Sequence, residues 1–199
     1  MLDIAAETTP DHRPAIVICA WDADEAAWDP IQDLSGRPWS PLGARTVAVP
    51  ADDPDALAAT LSHHLSNQQT RALLLVGRTR RSEGFRMQMR AENRALEGGK
   101  RLNTVGPAIA RATAPVADIV RALNEAGLAA DASSDAEDDA GSYLLYRVLA
   151  NLPEGADTPA IGLLRAPEHE ADEAVQRAVK TAAQAIARHL SPLPRTRNY

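Results

Sequence analysis

Three short runs of uninterrupted apolar residues limit what this chain can fold into. They are Ala15-Ile16-Val17-Ile18-Cys19-Ala20, Ala72-Leu73-Leu74-Leu75-Val76 and Ala160-Ile161-Gly162-Leu163-Leu164. Each has the length of a strand and is short for a buried helix, and none alternates with polar residues. A strand without alternation is buried on both faces, as in a parallel sheet covered by helices on either side. Arg45-Thr46-Val47-Ala48-Val49 adds an alternating strand. Phe85, Met87, Met89 and Ala91 alternate with Arg86, Gln88, Arg90 and Glu92, again with strand period.

Helical patterns fall between these runs. Asp52-Asp53-Pro54 supplies capping acids and a proline for a first turn, followed by Leu57, Leu61, His64 and Leu65 on one stripe. Val116, Ile119, Val120 and Leu123 form a second stripe that stops at Gly127. A third helix follows Ser142. Ala171, Ala174, Val175, Ala178, Val179, Ala182, Ile186 and Leu190 make a long last one, ended by Pro192 and Pro194. The spacing predicts helices near 54–65, 116–126, 142–151 and 170–190. It predicts strands near 15–20, 45–49, 72–76, 85–91, 128–133 and 160–164, with loops over 21–41 and 97–107. Alternation of strand and helix makes the class α/β, a mostly parallel twisted sheet with helices on both faces. The expected organisation is a flexible arm over 1–14, a single α/β domain over 15–191 and a tail over 192–199.

The chain has 199 residues, 45% of them hydrophobic and 24% charged, which is enough for a core that needs no staples. Its net charge of −6 leaves no global basic face for nucleic acid. One local cluster is basic: Arg78, Arg80, Arg81, Arg86, Arg90, Arg94, Lys100 and Arg101. It reads either as a solvated face or as a contact for a small anionic or acidic partner. Cys19 is the only cysteine, so no disulfide forms within the chain. With neither a secretory leader nor an apolar run of membrane-spanning length, a cytoplasmic location is expected. No cofactor is expected. Gly77-Arg78-Thr79 lacks the glycine-rich loop and lysine of a nucleotide-binding turn. His63 and His64 diverge on a helix, and no Cys/His spacing suits a metal.

The stretch Ser133-Ser134-Asp135-Ala136-Glu137-Asp138-Asp139-Ala140-Gly141-Ser142 joins a strand to a helix start. α/β enzymes often place a nucleophile at such a junction, because the helix dipole and free N–H groups favour a thiolate or oxyanion. Here there is no cysteine. Glu137, Asp138 and Asp139 suit capping and the macrodipole, and they repel developing negative charge.

Four blocks resemble the pyroglutamyl peptidases, the pyrrolidone-carboxylate peptidase family of cysteine peptidases. Leu75-Val76-Gly77, followed by Met87-Gln88-Met89-Arg90-Ala91-Glu92-Asn93, is similar to that family's strand-Gly segment and its Glu-Arg-x-Ala-x-Asn motif. Ala114-Pro115 and the residues to Gly127 resemble the Leu-Pro-led helix before the nucleophile strand. Ser133 to Tyr146 is similar to Ser-Asn-Thr-Ala-Gly-x-x-x-Cys-Asn-x-x-x-Tyr. Ile161-Gly162-Leu163-Leu164-Arg165-Ala166-Pro167 is similar to Gly-Phe-x-His-x-Pro. The resemblance spans 16–190 and implies the family's fold and its frequent oligomers, so a homo-oligomer is expected. It also implies a Cys nucleophile, a His base and an orienting acid. Those positions fall on Gly141, Arg165 and Gln88, so no intact catalytic residue is carried over. Glycine has no side chain to attack with, a guanidinium holds its proton, and glutamine has no charge to orient an imidazolium. The family's Gly-Phe-x-x-Phe, which helps hold the pyroglutamyl ring, is matched by Ala20-Trp21-Asp22-Ala23-Asp24. Trp21 and Asn93 are the positions that carry over to substrate binding.

Three functional readings stay open. In the first, the peptidase fold has lost its activity and serves binding or assembly. In the second, a hydrolase has a site rebuilt from Cys19, Ser142 and His169. In the third, Arg165 and the Arg78 to Arg94 cluster bind a small anion. The first carries a geometric expectation: Arg165 converges with Gln88 and Gly141 at the C-terminal edge of the sheet and pairs with Glu137, Asp138 or Asp139.

Overall fold

The computed structural model describes residues 11–21, 31, 38–96, 100–152 and 158–191. The expected tail, and the expected arm apart from 11–14, lie outside these residues, as do Asp22, Ala23 and Asp24.

The apolar runs form the centre of one sheet. Its strands are β1 (Ala15–Ala20), β2 (Arg45–Val49), β3 (Thr70–Thr79), β4 (Phe85–Gln88), β7 (Ala130–Ser133) and β8 (Ala160–Pro167). They lie in the order β2-β1-β3-β8-β4-β7. All neighbours are parallel except β4 and β8, which are antiparallel. A separate antiparallel ribbon joins β5 (Arg90–Glu92) to β6 (Ile109–Arg111).

The four helices are α1 (Pro54–Ser66), α2 (Val116–Glu125), α3 (Ala140–Ala150) and α4 (Asp172–Leu190). They cover both faces, and successive residues of the central strands divide between them. Leu74, Val76 and Leu164 share a core with Ile119, Leu123 and Val179 of α2 and α4. Leu73, Leu75 and Leu163 share the other core with Leu57, Leu61 and Leu145 of α1 and α3. α1 and α3 are also tied by polar groups: Tyr143 Oη donates to Asp55, and Arg147 Nη1 meets the same carboxylate at 2.9 Å.

Several boundaries move for local reasons. β3 runs on to Thr79 because Gly77, Arg78 and Thr79 pair with Arg165, Ala166 and Pro167 of β8. The strand expected over 85–91 breaks at Met89. Its N–H bonds Ser133 O at 2.8 Å while its carbonyl accepts from Ala112 at 2.9 Å, so the chain leaves the sheet there and starts the ribbon. β6 was not anticipated. α3 begins at Ala140, two residues early, because Asp139 rather than Ser142 is the cap; its carboxylate accepts from Ser142 N–H at 2.9 Å. α2 closes as expected. Gly127 takes φ +76°, and Leu128 N–H reaches back to Leu123 O at 3.0 Å, a Schellman motif that satisfies the last carbonyls. No described helix is long and apolar enough to cross a membrane.

Candidate functional site

The site is built where β4, β8 and the start of α3 meet. Arg165 lies in β8 and is fully buried. A lone guanidinium in such a place is costly, so it must be surrounded by acceptors. Asp139 takes it bidentately, Nη1 to Oδ2 at 2.5 Å and Nη2 to Oδ1 at 2.8 Å. Gln88 Oε1 accepts from Nε at 3.2 Å and from Nη2 at 3.0 Å. Ser142 Oγ accepts from Nη2 at 3.0 Å. Glu137 Oε1 stands 4.0 Å from Nε and accepts from Thr79 Oγ1 at 2.7 Å. Of the three acids at the helix start, Asp139 is therefore both helix cap and counter-ion. Asp138 turns to Arg94 at 3.6 Å.

The fourth wall is aromatic. Trp21 follows β1, and the Arg165 guanidinium lies 5.7 Å from its ring centroid. A methyl group on Gly77 would sit 2.2 Å from the indole, and one on Gly141 would sit 2.8 Å from it. The two glycines form a slot for the ring, and the indole occupies the space a side chain at 141 would need. The indole N–H is itself buried without a partner.

Gln88, Gly141 and Arg165 thus do converge, but not at a common C-terminal edge. β4 runs against β8, so Gln88 at its end lies opposite Leu163, inside the β8 strand. The rebuilt-site residues are not joined; none hydrogen-bonds another. Ser142 Oγ receives N–H groups from Gln88 Nε2 at 3.0 Å and Glu137 at 3.1 Å as well as Arg165. The acceptor for its own proton is the Gln88 amide oxygen at 3.3 Å, which is no base. His169 is 95% exposed beyond β8 and stands 3.9 Å from Glu168. Asn93 spends its amide on the 93–107 loop, donating to Asn103 O at 2.7 Å and Pro107 O at 3.1 Å and accepting from Asn103 N–H at 2.8 Å. A small cleft of about 20 Å³, room for little more than a water molecule, borders the network and is lined in part by Glu92, Arg94, Glu137, Asp138 and Asp139. Among the described residues its carboxylates outnumber its cations. Half of the basic cluster is neutralised too: Arg78 by Asp172, Arg80 by Glu168, Arg86 by Asp131 and Arg94 by Glu92.

Cys19 is fully buried between Val49 and Leu75, and burial pushes its thiol up to about 12. The folded state therefore holds the proton more tightly. That contribution is complete below the reference value of 9.0 and fades as pH climbs toward about 12. At about pH 8 the native thiolate is roughly a thousandfold scarcer than in the unfolded chain. A disulfide reagent is expected to label Cys19 only after urea unfolds the protein. Prompt labelling of the native state would contradict this placement.

No protein-family model matches the chain, and no curated protein matches its sequence. Solved structures do. Pyrrolidone carboxyl peptidase from Thermus thermophilus superposes with a TM-score of 0.69 at 19% identity, over 86% of this chain and 99% of that one. Pyroglutamyl peptidase I from Bacillus amyloliquefaciens gives 0.72 at 17%, over 88% and 95%. The Thermococcus litoralis enzyme gives 0.73 at 14%, over 89% and 94%. The chain has the fold of the pyrrolidone carboxyl peptidases.

Proposed function

We propose that this chain is a peptidase fold with a closed site, and that it works by binding or assembly. The observation that carries the reading is the content of the site. Where the resemblance puts Cys, His and Glu stand Gly141, Arg165 and Gln88. Arg165 is saturated by Asp139, Gln88 and Ser142, and Trp21 lies over Gly141. Hydrolysis of an amide requires a nucleophile with a base in reach. Among the described residues no histidine, amine or carboxylate accepts the Ser142 proton, and Cys19 is buried with its pKa raised.

A purified sample given a pyroglutamyl-coumarin substrate is expected to release product no faster than buffer. Release well above buffer that Arg165→Ala abolishes would overturn the reading. Binding or assembly through the outer surface is compatible with homo-oligomers. Light scattering at micromolar concentration tests that part, and a mass near 21.3 kDa, that of one chain, would count against it.

A further inference from the structure

We propose that the β5–β6 ribbon carries a binding site for a doubly charged oxyanion, of the phosphate class, between Arg90 and Arg111. The two arginines are directly opposite in the antiparallel register. Such a pair shares one face, with Cβ atoms roughly 4.5–5.5 Å apart, and like charges in these positions destabilise a ribbon. Their neighbours Ala91 and Ala110, also opposite each other, face the core under α3, so the arginines lie on the ribbon's outer side.

Neither guanidinium has a hydrogen-bond or ion-pair partner among the described residues, and Arg90 Nε is buried without one. The carboxylate two residues from Arg90, Glu92, is held by Arg94 at 3.0 Å. The same chain provides a comparison. Arg86 and Arg165 are also directly opposed across an antiparallel ladder. There each arginine has its own carboxylate, Asp131 at 3.1 Å and Asp139 at 2.5 Å. At Arg90 and Arg111 the repulsion is left open and a buried donor is unspent. One bound oxyanion answers the repulsion, because the terminal nitrogens of each planar fork present N–H groups to oxygens. Two cations facing each other favour a doubly charged group with several oxygens over a single carboxylate. The site is distant in kind from the Arg165 network, whose charge is already met, and it does not depend on whether peptidase activity is lost.

The test is thermal melting in sodium phosphate against sodium chloride at matched ionic strength, with a phosphoserine peptide as a second probe. At roughly ten times its Kd, phosphate is expected to raise the wild-type Tm by about 3–6 °C, with saturation. Tighter binding of the peptide would assign the group to a modified partner chain, and tighter binding of free phosphate to a small molecule. Arg111→Gln removes one fork and is expected to lose the shift without lowering the Tm in chloride. Arg111→Glu supplies the missing carboxylate; it should melt above wild type in chloride and gain nothing from phosphate. Superimposed wild-type curves in the two salts, or a full shift retained by Arg111→Gln, would overturn the proposal.

Discussion

Replacing Arg165 with alanine is expected to cost about 3–5 kcal/mol of folding stability. The loss is not the value of the ion pair itself, since burying both charges offsets most of their attraction. It arises because Asp139 and Glu137, whose side chains are only 25% and 13% exposed, are left without the cation that justified their positions. Gln88 Oε1 and Ser142 Oγ lose donors in the same step. For a chain of this size the loss corresponds to a fall in Tm of roughly 6–20 °C. Equilibrium urea unfolding measures it directly, and an unchanged slope would show that stability rather than compactness moved. A midpoint equal to that of wild type would mean that Arg165 does not hold this network together.

The second large effect is a reversal of sign at Gly141. Alanine in place of glycine within a helix ordinarily stabilises by about 0.5–1 kcal/mol. Here its methyl would press on Trp21 at 2.8 Å, so Gly141→Ala is expected to destabilise by about 1–3 kcal/mol. In a Trp21→Ala background the obstruction is gone, and the same substitution should stabilise. Gly77→Ala, with its methyl 2.2 Å from the ring, should show the larger coupling to Trp21. Additive effects in the double variants would refute the slot. A cysteine placed at 141 meets the same indole, so combining Gly141→Cys, Arg165→His and Gln88→Glu alone is not expected to give pyroglutamyl peptidase activity.

Much of this was readable from residue order. The continuous runs at 15–20, 72–76 and 160–164 are central strands because each is apolar on both faces. The arginine expected to converge with Gln88 and the acids does so. The remainder depends on partners distant in sequence. β6 has only three residues, and only Ala110 among them is buried, so it carries no periodicity. The break at Met89 follows from bonds to Ser133 and Ala112. The choice of Asp139 over Asp138 depends on which acid also caps α3. Trp21 was carried over as a ring-binding residue. Its packing against Gly77 and Gly141 is a matter of tertiary placement that no local pattern reports.

The position of β8 bears on how the molecule is made. β8 is the last strand in chain order, yet it lies between β3 and β4, in the middle of the sheet. As the polypeptide leaves the ribosome, β1, β2 and β3 can associate, and β4 and β7 can associate, but no strand pairs the two sets until residues 160–167 emerge. During that interval β3 presents an unpaired edge containing Ala72-Leu73-Leu74-Leu75-Val76, the kind of strand that recruits other chains. Closing the sheet then requires β8 to find β3 across a long loop, which is slow relative to local pairing. Until β8 is made, that edge is a site where nascent chains can pair with one another.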